Sequence, residues 1–317
     1  MTTTPPHVHA GAARGLWVLM RDAIDYAGLF PPAQLDMPGA VAEYAAYLDS
    51  ADAWALGRFV VPAGRVGELL VSLAERPPSS ASGASLGTGR PWRLSVVAGT
   101  DPAADVVRLR AFSAGAAADT SRQVVVEAIE VRAFPADAAG AVLRSVDNAF
   151  LCFVEIPVSG DPAPLIRAIG DGGGRAKVRT GGTTADAFPT SDDLARFLAA
   201  CVRERVPFKA TAGLHHPLRG EYPLTYAPDS AHGTMFGFLN VFLATALLVA
   251  GAELEAARAM LDERDPRAVR FTDHGATWGD RGLTNDQLRA ARELAIASFG
   301  SCSFREPIDD LSALGML

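Results

Sequence analysis

Two short apolar runs hold the only lysines of the chain. Lys177 stands in RAKVRTGG and Lys209 in PFKATAGL, and every other basic residue is arginine. Guanidinium stays protonated at any working pH, whereas an amine gives up its proton when burial or a second cation disfavours the charge. Lysine is seldom buried without a task. A sequence that keeps lysine for two interior-looking positions therefore points to amine chemistry, and in an enclosed site that means attack on a carbonyl carbon to form a Schiff base. The alternative is a pair of strand-end lysines whose stems run along apolar surface to water.

Strands are needed to aim two such side chains, and the sequence supplies them at a regular beat. Strand-like runs at 23–33, 56–62, 93–99, 122–133, 150–157, 175–182, 207–214 and 268–276 are each followed by a run with helical apolar spacing. Asp101, Ser191 and Thr284 stand where helix N-caps belong. Strands joined by crossover helices form a parallel sheet, and eight units in 317 residues predict a single-domain (β/α)8 TIM barrel. A doubly wound open parallel sheet is the other architecture, but no GxGxxG follows the first strand. Residues 1–15 read as an N-terminal arm, 16–317 as the barrel, and the Ser/Gly-rich stretch near 77–90 as a flexible surface loop.

A barrel of this kind carries its chemistry at the carboxyl ends of its strands. Those positions hold Asp25, Tyr26, Glu127, Glu130, Glu155, Lys177, Arg179, Lys209, Thr211, Asp273 and His274. Alternation puts Lys177 and Arg179 on one face, and likewise Lys209 and Thr211. Adjacent parallel strands lie about 5 Å apart, so the lysines are expected as neighbours that lower each other's pKa. Glu127 and Glu130 are three apart, so regular alternation turns only one of them inward. Cys152 reads as a packed thiol.

These residues resemble the deoxyribose-phosphate aldolases. Lys177-Val-Arg-Thr180-Gly181 is similar to that family's Lys-x-x-Thr-Gly strand, which carries the Schiff-base lysine. Lys209-Ala-Thr211-Ala-Gly213 is similar to its next strand, Lys-Ala-Ser-Gly-Gly, with the lysine that lowers the first one's pKa. Ile129-Glu130 looks like the family's step bearing a proton-relay carboxylate, and Phe153-Val154-Glu155 like the strand before the Schiff-base strand. The likeness covers roughly residues 122 to 216 and implies a barrel with aldol chemistry. The family's paired-glycine phosphate turn is replaced here by AGLHHP, and Arg179 stands where the family has a small hydroxyl residue. A carboxylated carbonyl compound is expected in place of a sugar phosphate.

On this reading Lys177 is the nucleophile, Lys209 depresses its pKa, Glu130 or Glu155 moves protons, and Thr180 orients the imine. Arg179 grips a carboxylate. Thr211, His215, His216, Asp25, Tyr26, Asn240 and His274 complete the substrate side, with neither cofactor nor metal. A second hypothesis is a metal-dependent hydrolase or lyase using His215, His216, Asp273 and His274. A third is a barrel that only binds a small anion. The net charge of −7 and pI near 5.4 argue against nucleic acid or an anionic membrane as partner. The longest apolar run, 236–252, contains Asn240 and is short for a span. Three dispersed cysteines and a start without an apolar run suit a soluble cytoplasmic protein with free thiols; a homo-oligomer is left open. The C-terminal FGSCSFREPIDDL reads as a segment folded over the barrel bottom, or one whose Arg305 and Glu306 reach a neighbour.

Overall fold

Eight parallel strands close into a barrel: β1 (Ile24–Tyr26), β2 (Leu56–Pro62), β3 (Trp92–Val97), β4 (Val124–Val131), β5 (Leu151–Glu155), β6 (Arg175–Arg179), β7 (Phe208–Thr211) and β8 (Ile296–Ser301). Neighbours in sequence are neighbours in the barrel, and β8 closes it by pairing with both β7 and β1. The computed structural model describes residues 12–75, 91–118, 124–132, 136–146 and 149–317. Most of the arm (residues 1–11) and the Ser/Gly-rich loop (76–90) lie outside the described residues. Among the described residues no helix is long and apolar enough to cross a membrane.

Local chemistry starts the helices where the sequence marks them. Asp36 accepts from the Gly39 amide ahead of the helix Met37–Leu48. Thr284 and Gln287 form a reciprocal capping box at the helix Asn285–Leu294. The helix expected to be capped by Ser191 starts one residue earlier, with Thr190 accepting from Asp193 N. Apolar side chains fill the layer between strands and helices. The barrel interior differs: Asp25, Arg58, Ser95, Glu130, Lys177, Lys209 and Ser298 are all buried, where branched apolar residues are the rule.

The eighth strand is not the one expected. Residues 268–276 instead supply Val269–Thr272 of a three-stranded antiparallel sheet with Gly275–Trp278 and Arg281–Thr284, packed against the helix Arg14–Met20. The true β8 comes from the second half of the expected last helix, which stops at Leu294. Ile296, Ser298, Phe299, Gly300 and Ser301 are all buried, and burial on both faces is what a closing parallel strand requires.

Two further departures shape the mouth. Between β7 and the helix Phe238–Val249 the chain forms an antiparallel hairpin, Gly220–Pro223 with His232–Met235. The C-terminal helix Arg305–Ala313 begins directly after β8. It therefore starts at the carboxyl-end face, with Glu306 lining the central cavity, and does not close the bottom. Arg305 pairs with Asp52 and Asp309 of its own chain.

Candidate active site

Four buried side chains and the half-buried Glu155 form a line of alternating charge across the barrel. Lys209 Nζ lies 2.5 Å from Asp25 Oδ2 and 2.6 Å from Glu130 Oε1. Glu130 passes the line on, with Oε2 2.9 Å from Lys177 Nζ, which is also 3.0 Å from Glu155 Oε2. Strand register explains why these residues meet. Lys177 stands opposite Lys209 across β6–β7 and opposite Glu155 across β5–β6, while Ser298 of β8 faces Lys209. Ser298 donates to Asp25 Oδ2 (2.8 Å) and Ser95 to Glu130 Oε1 (2.6 Å). The Arg58 amide donates to Asp25 Oδ1 (2.7 Å).

Glu127 joins this array from below. Its carboxylate pairs with Arg93 (2.8 Å) and with Arg58 (2.9 Å), whose guanidinium also stands 3.9 Å from Asp25. Regular alternation would turn Glu127 and Glu130 to opposite sides. The β3–β4 register slips between Leu94 and Ser95, leaving Glu127 as an extra residue. That bulge resets the alternation and lets both carboxylates reach the interior.

The charges hold one another in place. Burial favours the neutral form of each group, yet Lys177 and Lys209 outweigh it and keep Glu130 well below the usual carboxylate range. For Asp25, Lys209 and Arg58 likewise outweigh burial and lower the pKa. Burial would also lower Lys177, but Glu130 and Glu155 outweigh it and raise the amine above its ordinary value. This corrects the expectation that Lys209 depresses the pKa of Lys177. The lysines are adjacent, but Glu130 sits between their ammonium groups, so each cation meets a carboxylate first.

Above the array lies a cavity of about 250 Å³ at the carboxyl ends of the strands. Lys177, only 6% exposed, reaches its wall together with Glu130, Glu155, Arg179, Lys209 and Thr211. Arg179 is exposed and makes no ion pair among the described residues, which leaves its fork free for an anion. After β7 the chain turns through Ala212 (φ 64°) and Gly213 (φ 74°). Ala212 holds a left-handed conformation that costs a residue with a Cβ roughly 1 kcal/mol or more. At Gly300, a Cβ would come within 3.1 Å of Thr211 Oγ1, so the glycine keeps β8 close to the cavity floor.

The sequence candidates divide by where they lie. Lys177, Lys209, Glu130, Glu155, Arg179, Thr211, His215 and His216 are brought together at the cavity. Asp25 lies beneath it, fully buried against Lys209. Thr180 is turned away, its hydroxyl donating to the Ala212 carbonyl at 2.6 Å, and so ties β6 to the β7 turn and does not reach an imine. Tyr26 donates to Glu43 (2.6 Å) inside an aromatic cluster with Tyr44, Tyr47 and Phe59. Asn240 is not at the cavity either. Its oxygen accepts from the Arg219 and Gly237 amides, and its nitrogen donates to the Met260 and Glu263 carbonyls. Asp273 and His274 are exposed in the turn of the outer antiparallel sheet, where Asp273 accepts from the Arg14 amide. The proposed cluster of His215, His216, Asp273 and His274 therefore does not form.

The cavity wall adds three residues that the strand pattern does not place there. Tyr226 comes from the hairpin, Cys302 follows β8, and Glu306 opens the last helix. His215 contacts Glu306 and Cys302, and those hydrogen bonds outweigh burial and lift its pKa to about 10. His216 bonds Asp310 (2.6 Å) and stacks on Tyr222. Cys152 is packed as expected, its thiol pushed up to about 12 by burial. No family model, no curated protein and no solved structure matches the chain.

Proposed function

We propose that this barrel is a Schiff-base lyase of the aldolase type, acting on a small carboxylated carbonyl compound through Lys177. The observation that carries the reading is the setting of Lys177: a buried amine at the cavity wall, held at 2.9 and 3.0 Å by two carboxylates. Burying so many charges is expensive and does not by itself stabilise a fold, which favours a chemical use for the array. The resemblance of the two lysine strands to the deoxyribose-phosphate aldolases supports the same reaction type.

A protonated resting lysine suits the proton balance. Lys177 hands one proton to a carboxylate, and the free amine attacks the carbonyl carbon. The C–N bond forms as the C=O electron pair moves to oxygen, which takes the proton back. A second proton leaves nitrogen by the same route as oxygen departs in water. Ammonium plus carbonyl thus become protonated imine plus water, with no proton drawn from outside. The carbon–carbon bond then breaks toward the iminium to give an enamine, and the proton of the β-hydroxyl goes to the carboxylate. Glu155 is the carrier in this scheme. Glu130 already accepts from two ammonium groups and Ser95 and is held strongly ionised, so it acts as the fixed counter-ion. Arg179 supplies a bidentate grip for the substrate carboxylate.

Incubation with a pool of 2-oxo and aldehydo acids tests the reading. The wild type should consume a member of the pool, and Lys177→Arg should not at any pH, because guanidinium cannot form an imine. Equal consumption by Lys177→Arg would remove the proposal. A barrel that only binds anions would consume nothing and would keep its ligand in Lys177→Met.

A further inference from the structure

A second group of reactive side chains at the same cavity has no part in that scheme. His215 follows β7, Cys302 follows β8, and Glu306 lies in the first turn of the C-terminal helix. Paired neighbouring strands thus deliver all three to one place. His215 Nδ1 is 3.1 Å from Glu306 Oε2 and 3.8 Å from Cys302 Sγ, and the three residues can each offer a ligand atom within 4.8 Å of the other two. Ser301 Oγ approaches the same nitrogen at 3.4 Å. Tyr226 Oη donates to Glu306 Oε2 at 2.8 Å and lies 3.3 Å from Cys302 Sγ.

Three groups converge on one ring nitrogen that carries either one hydrogen or one lone pair. A single well-directed hydrogen bond accounts for the Glu306 contact and leaves over the approach of the sulfur to the same nitrogen. A cation accounts for the Glu306 and Cys302 contacts together. Ligand atoms 2.0–2.3 Å from a tetrahedral zinc ion stand about 3.3–3.7 Å from one another; the two His215 distances, 3.1 and 3.8 Å, bracket that range, and the whole set lies within 4.8 Å. Imidazole nitrogen, thiolate and carboxylate are also the donor types that zinc takes. A thiolate and a carboxylate neutralise a divalent charge, so the loaded site adds no net charge to a buried place. His215 and Cys302 are buried, and all three residues face the cavity.

We propose that His215 Nδ1, Cys302 Sγ and Glu306 Oε2 bind a divalent cation of the zinc class, leaving one coordination position open to the cavity that Lys177 lines. Three protein ligands with an open fourth position are the pattern of a catalytic ion, not a structural one. At that position the ion would draw an oxygen of the bound compound toward itself as a Lewis acid. Tyr226 is a positioning residue, its hydroxyl contacting both the Glu306 carboxylate and the Cys302 sulfur at the cavity wall. The assignment does not depend on the Schiff-base reading.

The full chain, purified without chelator and then dialysed against zinc or cobalt, tests the site by elemental analysis. About one ion per chain is expected, and the cobalt form should show a near-ultraviolet sulfur-to-metal charge-transfer band. Cys302→Asp should keep the ion and lose the band, while Cys302→Ala should lose both. Tyr226→Phe should weaken binding by about tenfold, the lower end for a residue that orients a ligand. His274→Ala, at the outer sheet, and Lys177→Met should bind like the wild type, so this site and the Schiff-base reading fail separately. A reconstituted wild type without metal would overturn the proposal, as would full occupancy in Cys302→Ala. Alkylation of Cys302 at a rate unchanged by added zinc would overturn it too and would assign a free thiol–imidazole pair. If Cys302→Ala does not fold, the cobalt spectrum of the wild type decides.

Discussion

Replacing Glu130 by Gln removes the one carboxylate that, among the described residues, touches both lysines while keeping its shape. Lys177 stands 2.9 Å from Glu130 and keeps Glu155 at 3.0 Å, so it loses one of two charges that raise its pKa. An opposite charge at such range shifts a pKa by about 1 to 3 units, equivalent to about 1.4 to 4 kcal/mol. The Lys177 pKa should therefore fall by that amount. Stability should fall as well. Breaking a buried pair costs about 3–5 kcal/mol, and the lower end applies because Lys209 keeps Asp25 and Lys177 keeps Glu155. With an unfolding entropy of about 2.1 cal/mol/K per residue, a loss of about 3 kcal/mol over 317 residues lowers Tm by about 4–5 °C. The assay is amine labelling as a function of pH with mass mapping, which this chain makes simple because it has two lysines and one amino terminus. A Lys177 pKa that stays put or rises in Glu130→Gln would refute the charge array as drawn.

Four other outcomes follow from the same geometry. Lys209→Met leaves Asp25 and Glu130 facing a lost cation, so it should cost about 3–5 kcal/mol and about 4–8 °C in Tm, read by thermal unfolding. Arg179→Gln should raise KM for a carboxylated substrate about 10- to 100-fold with kcat little changed, the worth of a charged hydrogen bond. Asn240→Ala strands two amides and two carbonyls and should lower the urea midpoint by an amount equivalent to about 3 kcal/mol, while KM stays at its wild-type value. The array also sets a pH window. Asp25 and Glu130 have lowered pKa values, so their stabilisation is present above about pH 4 and is lost as the pH falls below it. Lys177 has a raised pKa, so its share is full below about pH 10.4 and is lost as the pH rises further. Urea midpoints across pH should show a plateau between these limits, with both flanks shallower in Glu130→Gln.

What could be read from the residues was the part built on regular alternation. Lys177 opposite Lys209, with Glu155 one strand away, follows from counting along short apolar strands, and the structure places these residues so. Where a local irregularity intervened, the reading failed. The bulge at Glu127 is invisible in a run of apolar residues, which hides the inward turn of both glutamates. The last strand was hidden because Ala295-Ile296 continues the apolar spacing of the helix before it, with no Gly or Pro between them. A short buried strand and a buried helix segment look alike by periodicity. The pattern of 268–276 is a genuine strand pattern, but it serves an outer antiparallel sheet, and no local signal tells the two uses apart. Misplacing β8 also hid Cys302 and Glu306. Had Ser298-Phe-Gly-Ser301 been read as the closing strand, both would have stood at a strand's carboxyl end.

The central claim is that Lys177 forms the covalent bond, and trapping tests it most directly. Borohydride added to the wild-type chain with the consumed carbonyl compound should reduce an imine to a stable secondary amine. Peptide mapping should then find one adduct per chain on Lys177, absent from Lys177→Arg and present in Lys209→Arg. An adduct on Lys209, or turnover of the compound with no adduct at all, would contradict the account.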